Sequence, residues 1–147
     1  MKPKKTNKRH LARALALQAL YRWHFTQDAP KDWLPEFMSE HLNAANDIDF
    51  AFFQTLVNGV IVNQVMIDKK MTPFLDRPID TLNPVELAVL RLGCYELVYC
   101  PDVPPNVVIN EAVELTKAFG ATDGYKYVNG VLDAIKQSSS TSVDATK

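Results

Sequence analysis

The chain has 147 residues, of which 47% are hydrophobic and 22% charged, and its formal net charge is −1. This length suits one domain or two small subdomains that share a core, and the hydrophobic content excludes a wholly disordered chain. No apolar run reaches the ~18 residues of a membrane span, and no small-residue cleavage site follows the basic N-terminus, so we expect no secretory signal. Two cysteines, Cys94 and Cys100, are too few for a disulfide scaffold, which favours a reduced, soluble, cytoplasmic protein.

Charge is distributed unevenly along the chain. Residues 1–22 contain seven basic residues and no acidic one, whereas the remainder contains nine basic and seventeen acidic residues, a formal charge of −8. The opposite charges of these two segments predict a polyanion partner near the N-terminus and a different partner elsewhere. Charge alone leaves a second interpretation open, in which the basic segment is only a solvated tail.

The first predicted helix has two faces. Apolar residues such as Leu15 and Phe25 form a stripe that we expect to face the core. On roughly the opposite side Lys5, Arg9 and Arg13 recur every four residues, so the three side chains should form a basic ridge.

Helical periodicity continues through the rest of the chain and predicts an all-α fold of about seven helices. Asp47 is the expected N-cap of one long helix through Asp68, and Asn83–Pro84 is the expected start of another. The other expected helical segments are 32–44, a short turn between 71 and 78, 105–119 and a last helix capped by Thr122 or Asp123. We expect two packed helical subdomains, about 1–80 and 81–137, with a basic arm over 1–13 and a disordered tail over 138–147.

The helix that follows Pro84 is apolar almost all round and should lie at the centre of the bundle. Its charged residues Glu86, Arg91 and Glu96 would be costly to bury unless each reaches a partner. A salt bridge to a neighbouring helix and a role in a protein or RNA interface are the two interpretations that the pattern leaves open.

The sequence contains few of the motifs that are typical of enzymes. It has no phosphate-binding glycine-rich loop, no G-x-S-x-G motif, and no pair of histidines at the i, i+4 spacing of metal ligands. His10, His24 and His41 are far from one another in the chain. We therefore expect a protein without catalytic activity, metal or cofactor.

A recognition site is better supported, at the start of the last helix. Asp123, Lys126 and Tyr127 are three and four residues apart and hence share one face. A carboxylate can accept from a base amino group, a lysine can bind phosphate and a ring can stack on a base, which suits single-stranded RNA. Spacing alone also allows Asp123 to be only a helix cap and Tyr127 only a packing residue.

Short blocks of sequence match a known family. They are Ala19–Leu20–Tyr21 with Trp23, Leu90–Arg91–Leu92, Tyr95–Glu96–Leu97, Asp102–Val103–Pro104, Ile109–Asn110–Glu111–Ala112–Val113–Glu114–Leu115, Phe119–Gly120, and Lys126–Tyr127–Val128–Asn129–Gly130–Val131–Leu132. From about residue 8 to 135 the chain resembles the NusB family of bacterial transcription antitermination factors. The resemblance implies an all-helical, two-subdomain fold and a role on ribosomal RNA operons. It also implies pairing with NusE, a small-subunit ribosomal protein, to bind single-stranded boxA RNA, followed by assembly with other Nus factors and RNA polymerase.

The resemblance also implies roles for individual residues. The family's arginine-rich N-terminus corresponds to Lys2, Arg9 and Arg13, and the basic ridge adds Lys5. The family's RNA-contacting acid and aromatic residue correspond to Asp123 and Tyr127, with Lys126 between them, and the NusE-facing positions correspond to Tyr21, Glu86 and Arg91. Lysine lacks the planar fork of arginine, so RNA binding should be more sensitive to salt than with an arginine-rich arm.

Two alternatives remain open at this point. A NusB-like domain also forms the RNA-binding part of some ribosomal RNA cytosine methyltransferases, although we expect no methyl-donor domain in a chain that stops at Lys147. The other alternative is a protein-interaction module that associates with itself, because some NusB-like proteins dimerise and cover their RNA face. The sequence does not distinguish a monomer from a homodimer.

Overall fold

The computed structural model describes residues 7–41 and 47–145. Within those residues the regular structure is helical throughout and includes no strand, which confirms the predicted all-α class. The described helices are α1 (Lys8–Thr26), α2 (Pro30–Ser39), α3 (Phe50–Val62), α4 (Gln64–Met71), α5 (Pro84–Tyr99), α6 (Pro105–Phe119) and α7 (Gly124–Ala145), with short 3₁₀ turns at Thr72–Phe74 and Ile79–Thr81.

The chain divides into two compact units, Met1–Gly59 and Val60–Lys147. This boundary comes earlier than the predicted one near residue 80, because α4 packs against α5 and α7 and thus belongs to the second unit. The long helix predicted through Asp68 is also interrupted. At Asn63 the backbone has φ −101° and ψ 14°, outside the α-helical region, and α4 begins immediately after it.

Local capping residues set the helix ends of the first unit. The Asn7 side chain accepts hydrogen bonds from the backbone N–H groups of Arg9 and His10, both at 3.1 Å, and so begins α1. The cap of α3 is Asp49 and not the predicted Asp47, since the Asp49 carboxylate accepts from the Phe52 N–H at 2.9 Å.

Aromatic side chains form much of the core of the first unit. Phe37 of α2 stacks on Phe53 of α3 with ring centroids 6.0 Å apart, and Trp33 meets Phe37 edge to face. The buried face of α1 consists mainly of Ala12, Leu15, Ala16, Leu17, Ala19, Leu20 and Trp23. Phe25 was predicted on that face and is instead 61% exposed, because the buried stripe lies further around the helix.

Helix α5 is the centre of the second unit and packs against α4, α6 and α7. Asn83 caps it as predicted, accepting hydrogen bonds from the N–H groups of Val85 and Glu86. Every residue in 86–96 is buried, which agrees with the central position predicted from its apolar surface. At Gly93 the neighbouring α7 comes so close that a Cβ atom would lie 2.7 Å from a methyl carbon of Leu132.

Helix α7 is longer than the sequence predicts. It continues to Ala145, across most of the segment 138–147 that we expected to be a disordered tail. Neither proline nor glycine occurs between 131 and 145, so no residue there is a strong helix breaker. In the described part of the chain, no single helix is long and apolar enough to cross a membrane. Helix α3 and the segment Gln64–Phe74 reach the required length and composition only when they are taken together, and the pair is bent.

Candidate nucleic-acid interface

The basic ridge of α1 is partly turned toward α3. Arg9 and Arg13 both place their guanidinium groups over the ring of Phe52, with their Cζ atoms 4.3 and 5.1 Å from its centroid. Arg9 also lies 3.9 Å from the carboxylate of Asp49, while its side chain stays 46% exposed. The two arginines share one side of α1 as predicted, but an aromatic ring of another helix occupies that side.

Arg13 therefore differs from the prediction of an outward-facing cation. It is only 3% exposed, so its guanidinium is enclosed by protein and is not presented to solvent. Lys2 and Lys5, the other two members of the predicted basic set, lie outside the described residues. Of that set, Arg9 is the cation that the structure places at the surface.

The first turn of α7 presents the second group of predicted residues. The Asp123 carboxylate and the Lys126 ammonium lie 3.7 Å apart, and both side chains are largely exposed. Gly124, the first residue of α7, is buried against Glu86 of α5, and a Cβ atom there would lie 2.7 Å from a Glu86 carboxylate oxygen. The absence of a side chain at 124 thus lets the turn sit directly on α5, with Asp123 and Lys126 on its outer side.

Tyr127 belongs to a cluster that sequence reasoning missed. The guanidinium of Arg77 lies over its ring, with Cζ 4.7 Å from the centroid. The backbone N–H of Asp76 donates a long hydrogen bond to the Tyr127 hydroxyl oxygen, with 3.4 Å between N and O. Arg77 lies in the aperiodic segment between the two 3₁₀ turns, so helical spacing gave no signal for it.

The electrostatics of this cluster follow from its contacts. Hydrogen bonding from Arg77 is the main reason that the pKa of the Asp76 carboxyl is lowered. Partial burial raises the pKa of the Tyr127 hydroxyl, and the nearby Asp76 charge acts in the same direction. Asp76 is therefore a carboxylate, and Tyr127 a neutral phenol, at neutral pH.

The three residues predicted to face a protein partner have different environments. Tyr21 is exposed and meets the exposed Phe25 edge to face, with ring centroids 5.0 Å apart. Glu86 and Arg91 are each only 8% exposed. The Arg91 guanidinium donates two hydrogen bonds to the Asp68 carboxylate, both at 2.9 Å, so the intramolecular salt bridge considered for α5 is present at Arg91.

The remaining groups to consider are side chains that could bind a metal ion and the two cysteines. Among residues 7–41 and 47–145, no three His, Cys, Asp or Glu side chains lie close enough together to hold a metal ion. Cys94 and Cys100 are both buried, and burial raises the pKa of the Cys94 thiol to about 11.

Comparison with known proteins identifies the family of the chain. The sequence model described as the NusB family matches residues 10–137. The chain is 48% identical over 134 residues to the transcription antitermination protein NusB of Pseudomonas entomophila, covering 91% of this chain and 80% of the relative. It is 51% identical over 127 residues to the protein of the same name from Coxiella burnetii, covering 86% and 91%. A solved structure of the antitermination factors NusB and NusE in complex with double-stranded RNA contains a chain that is 30% identical, with a TM-score of 0.76 and coverage of 88% and 96%. The chain belongs to the NusB family.

Proposed function

We propose that the protein is a transcription antitermination factor for ribosomal RNA operons, which binds boxA RNA together with NusE and joins RNA polymerase with other Nus factors. The observation that carries this proposal is the exposed turn at the start of α7, where Asp123 and Lys126 lie 3.7 Å apart beside Tyr127 in a chain of this family. A carboxylate, a cation and an aromatic ring there supply the groups that read an unpaired base and its phosphate.

The basic residues have distinct roles in this proposal. Arg9, which is exposed, contacts phosphate directly, and Lys2 and Lys5 add charge that steers the protein to RNA. Arg13 is enclosed and acts as a positioning residue, because its guanidinium shares the Phe52 ring with that of Arg9. Asp123, Lys126 and Tyr127 select the bound bases.

The residues assigned to NusE binding also divide into exposed residues that contact the partner and buried residues that support the surface. Tyr21 and its neighbour Phe25 offer exposed aromatic area on α1, which is the kind of group that anchors a protein interface. Glu86 and Arg91 act from within, by holding the start of α7 and the α4–α5 contact in place. The acidic remainder of the chain suits a basic ribosomal protein.

The proposed mechanism has no chemical step. We infer that the protein works by binding alone, in the cytoplasm, without a metal or cofactor. Its free energy comes from phosphate neutralisation, base stacking and the NusE contact.

Fluorescence anisotropy with a boxA-like single-stranded oligonucleotide tests this function. The controls are a scrambled strand and a duplex of the same length. Each RNA is measured at two salt concentrations, with and without NusE. We expect boxA to bind most tightly and NusE to increase its affinity. Tyr127→Ala should cost about 1–3 kcal/mol of binding free energy if the ring stacks on a base.

The chain provides a matched control for this site on the same helix. Asp133 and Lys136 form an i, i+3 pair at 4.0 Å, similar to the pair formed by Asp123 and Lys126. Lys126→Ala should weaken binding and lower the salt slope by about one, whereas Lys136→Ala should leave both nearly unchanged. Equal, salt-sensitive binding of all strands would contradict base selection, and a dimer in light scattering that binds no RNA would favour the self-associating module.

A further inference from the structure

We propose that Arg77 provides a stacking platform for a nucleobase of the bound RNA, fixed in plane by Asp76 and backed by the ring of Tyr127. This inference rests on the proposed RNA-binding function and extends it to two residues outside the predicted site. Both residues lie in the segment between the 3₁₀ turns, whereas Tyr127 lies in the first helical turns of α7.

Two contacts hold the Arg77 guanidinium. Its Nε and Nη2 donate to the two carboxylate oxygens of Asp76, at 2.7 and 3.1 Å, which is a bidentate fork. The group also lies over the Tyr127 ring, 4.7 Å from the centroid. The Asp76 N–H donates to the hydroxyl of that tyrosine, so the segment contacts α7 at both the face and the hydroxyl of the ring.

One face of this guanidinium stays open. The Arg77 side chain is 50% exposed although it covers the tyrosine ring, so we infer that its other face is turned to solvent. The fork uses two of its five N–H donors, which leaves three at the edge of the plane for a phosphate or a base edge. A base that stacks on the open face would complete a three-layer stack of base, guanidinium and phenol ring.

Fold stability does not account for this arrangement. An exposed ion pair between adjacent residues contributes little to the free energy of unfolding, because water screens both charges. Arginine planes are, in contrast, established stacking partners for unpaired bases. Lysine carries the same charge without a plane, so the platform and a simple phosphate contact predict different outcomes for Arg77→Lys.

The test measures affinity of the full chain for the single-stranded oligonucleotide by anisotropy, at several salt concentrations. We expect Arg77→Lys to weaken binding about tenfold with an unchanged salt slope, since the charge remains and the plane is lost. Arg22→Lys is the matched control, because Arg22 is also an exposed arginine over an aromatic ring, 5.6 Å from the centroid of Trp33. That control should bind as tightly as the unchanged protein.

Asp76→Asn provides an independent test, because the loss of a negative charge and the loss of the platform change the RNA affinity in opposite directions. Removal of a negative charge near a polyanion should by itself tighten binding, whereas loss of the fork should release the platform and weaken binding. Weaker binding supports the proposal; tighter binding, or wild-type affinity in Arg77→Lys, overturns it.

The two proposals fail in different ways. If the unchanged protein binds none of the oligonucleotides, the proposed function is overturned and the platform with it. If the unchanged protein binds and Tyr127→Ala weakens the complex while Arg77→Lys and Asp76→Asn do not, only the platform is overturned. Circular dichroism melts of each variant separate a loss of binding from a loss of fold.

Discussion

Two glycines in one unit allow the packing of α5 on α7 to be measured. Gly93 of α5 and Gly130 of α7 are both inside helices, where alanine is about 1 kcal/mol more favourable. At Gly130 a new Cβ atom would meet nothing within 4 Å, so Gly130→Ala should stabilise the protein by about that amount. At Gly93 the same atom would lie 2.7 and 2.9 Å from the two methyl carbons of Leu132.

The clash at Gly93 reverses the sign of the effect. Leu132 is fully buried and cannot swing into solvent, so the extra carbon must be accommodated by repacking at a cost of about 1–3 kcal/mol. After the helix gain is subtracted, Gly93→Ala should destabilise by about 0–2 kcal/mol. The difference between the two variants isolates the packing cost, because the helix gain cancels.

Urea unfolding monitored by circular dichroism measures both variants under the same conditions. We expect the midpoint of Gly130→Ala to rise and that of Gly93→Ala to stay level or fall, with about 1–3 kcal/mol between them. Equal stabilisation of both variants would refute the reasoning, since it would mean that Leu132 yields without cost and that the two helices are loosely packed.

Three further predictions concern single side chains. Arg91→Ala leaves the largely buried Asp68 carboxylate without its guanidinium and should destabilise by about 2–4 kcal/mol in urea unfolding; unchanged stability would contradict the structural role assigned to that pair. The Cys94 thiol, with a pKa of about 11 against an ordinary 9.0, should react with iodoacetamide far more slowly at pH 9 in the native than in the urea-unfolded protein. Its contribution to stability should be complete below pH 9 and should be lost as the pH rises toward 11, because the unfolded chain then releases the proton first. Asn83→Ala should lower the free energy of unfolding by about 1 kcal/mol and Asn83→Asp by much less, as a lost cap predicts, and equal effects in a thermal melt would argue against the cap.

The features that sequence predicted well are local ones. The start of α5 follows from Asn83–Pro84, because a cap and a first-turn proline act on the backbone within a few residues. Its central position follows from an apolar surface that only burial on all sides can accommodate. The proximity of Asp123 and Lys126 likewise follows from the helical repeat alone.

Features that depend on distant residues were not predicted. The common side of Arg9 and Arg13 was evident from their spacing, but periodicity cannot reveal that Phe52 of another helix covers it. The interruption at Asn63 has no proline or glycine to mark it. Arg77 reaches Tyr127 only through the path of an irregular segment, for which a repeat of 3.6 residues carries no information.

The contact between Glu86 and Gly124 has a thermodynamic consequence. A predicted partner-binding residue touches the turn that carries the proposed RNA site, with no side chain between them. If NusE binding shifts the buried Glu86, binding of NusE and binding of RNA at the first turn of α7 are linked through one carboxylate. Linkage is reciprocal, so RNA must then strengthen or weaken NusE binding by the same factor by which NusE changes the affinity for RNA.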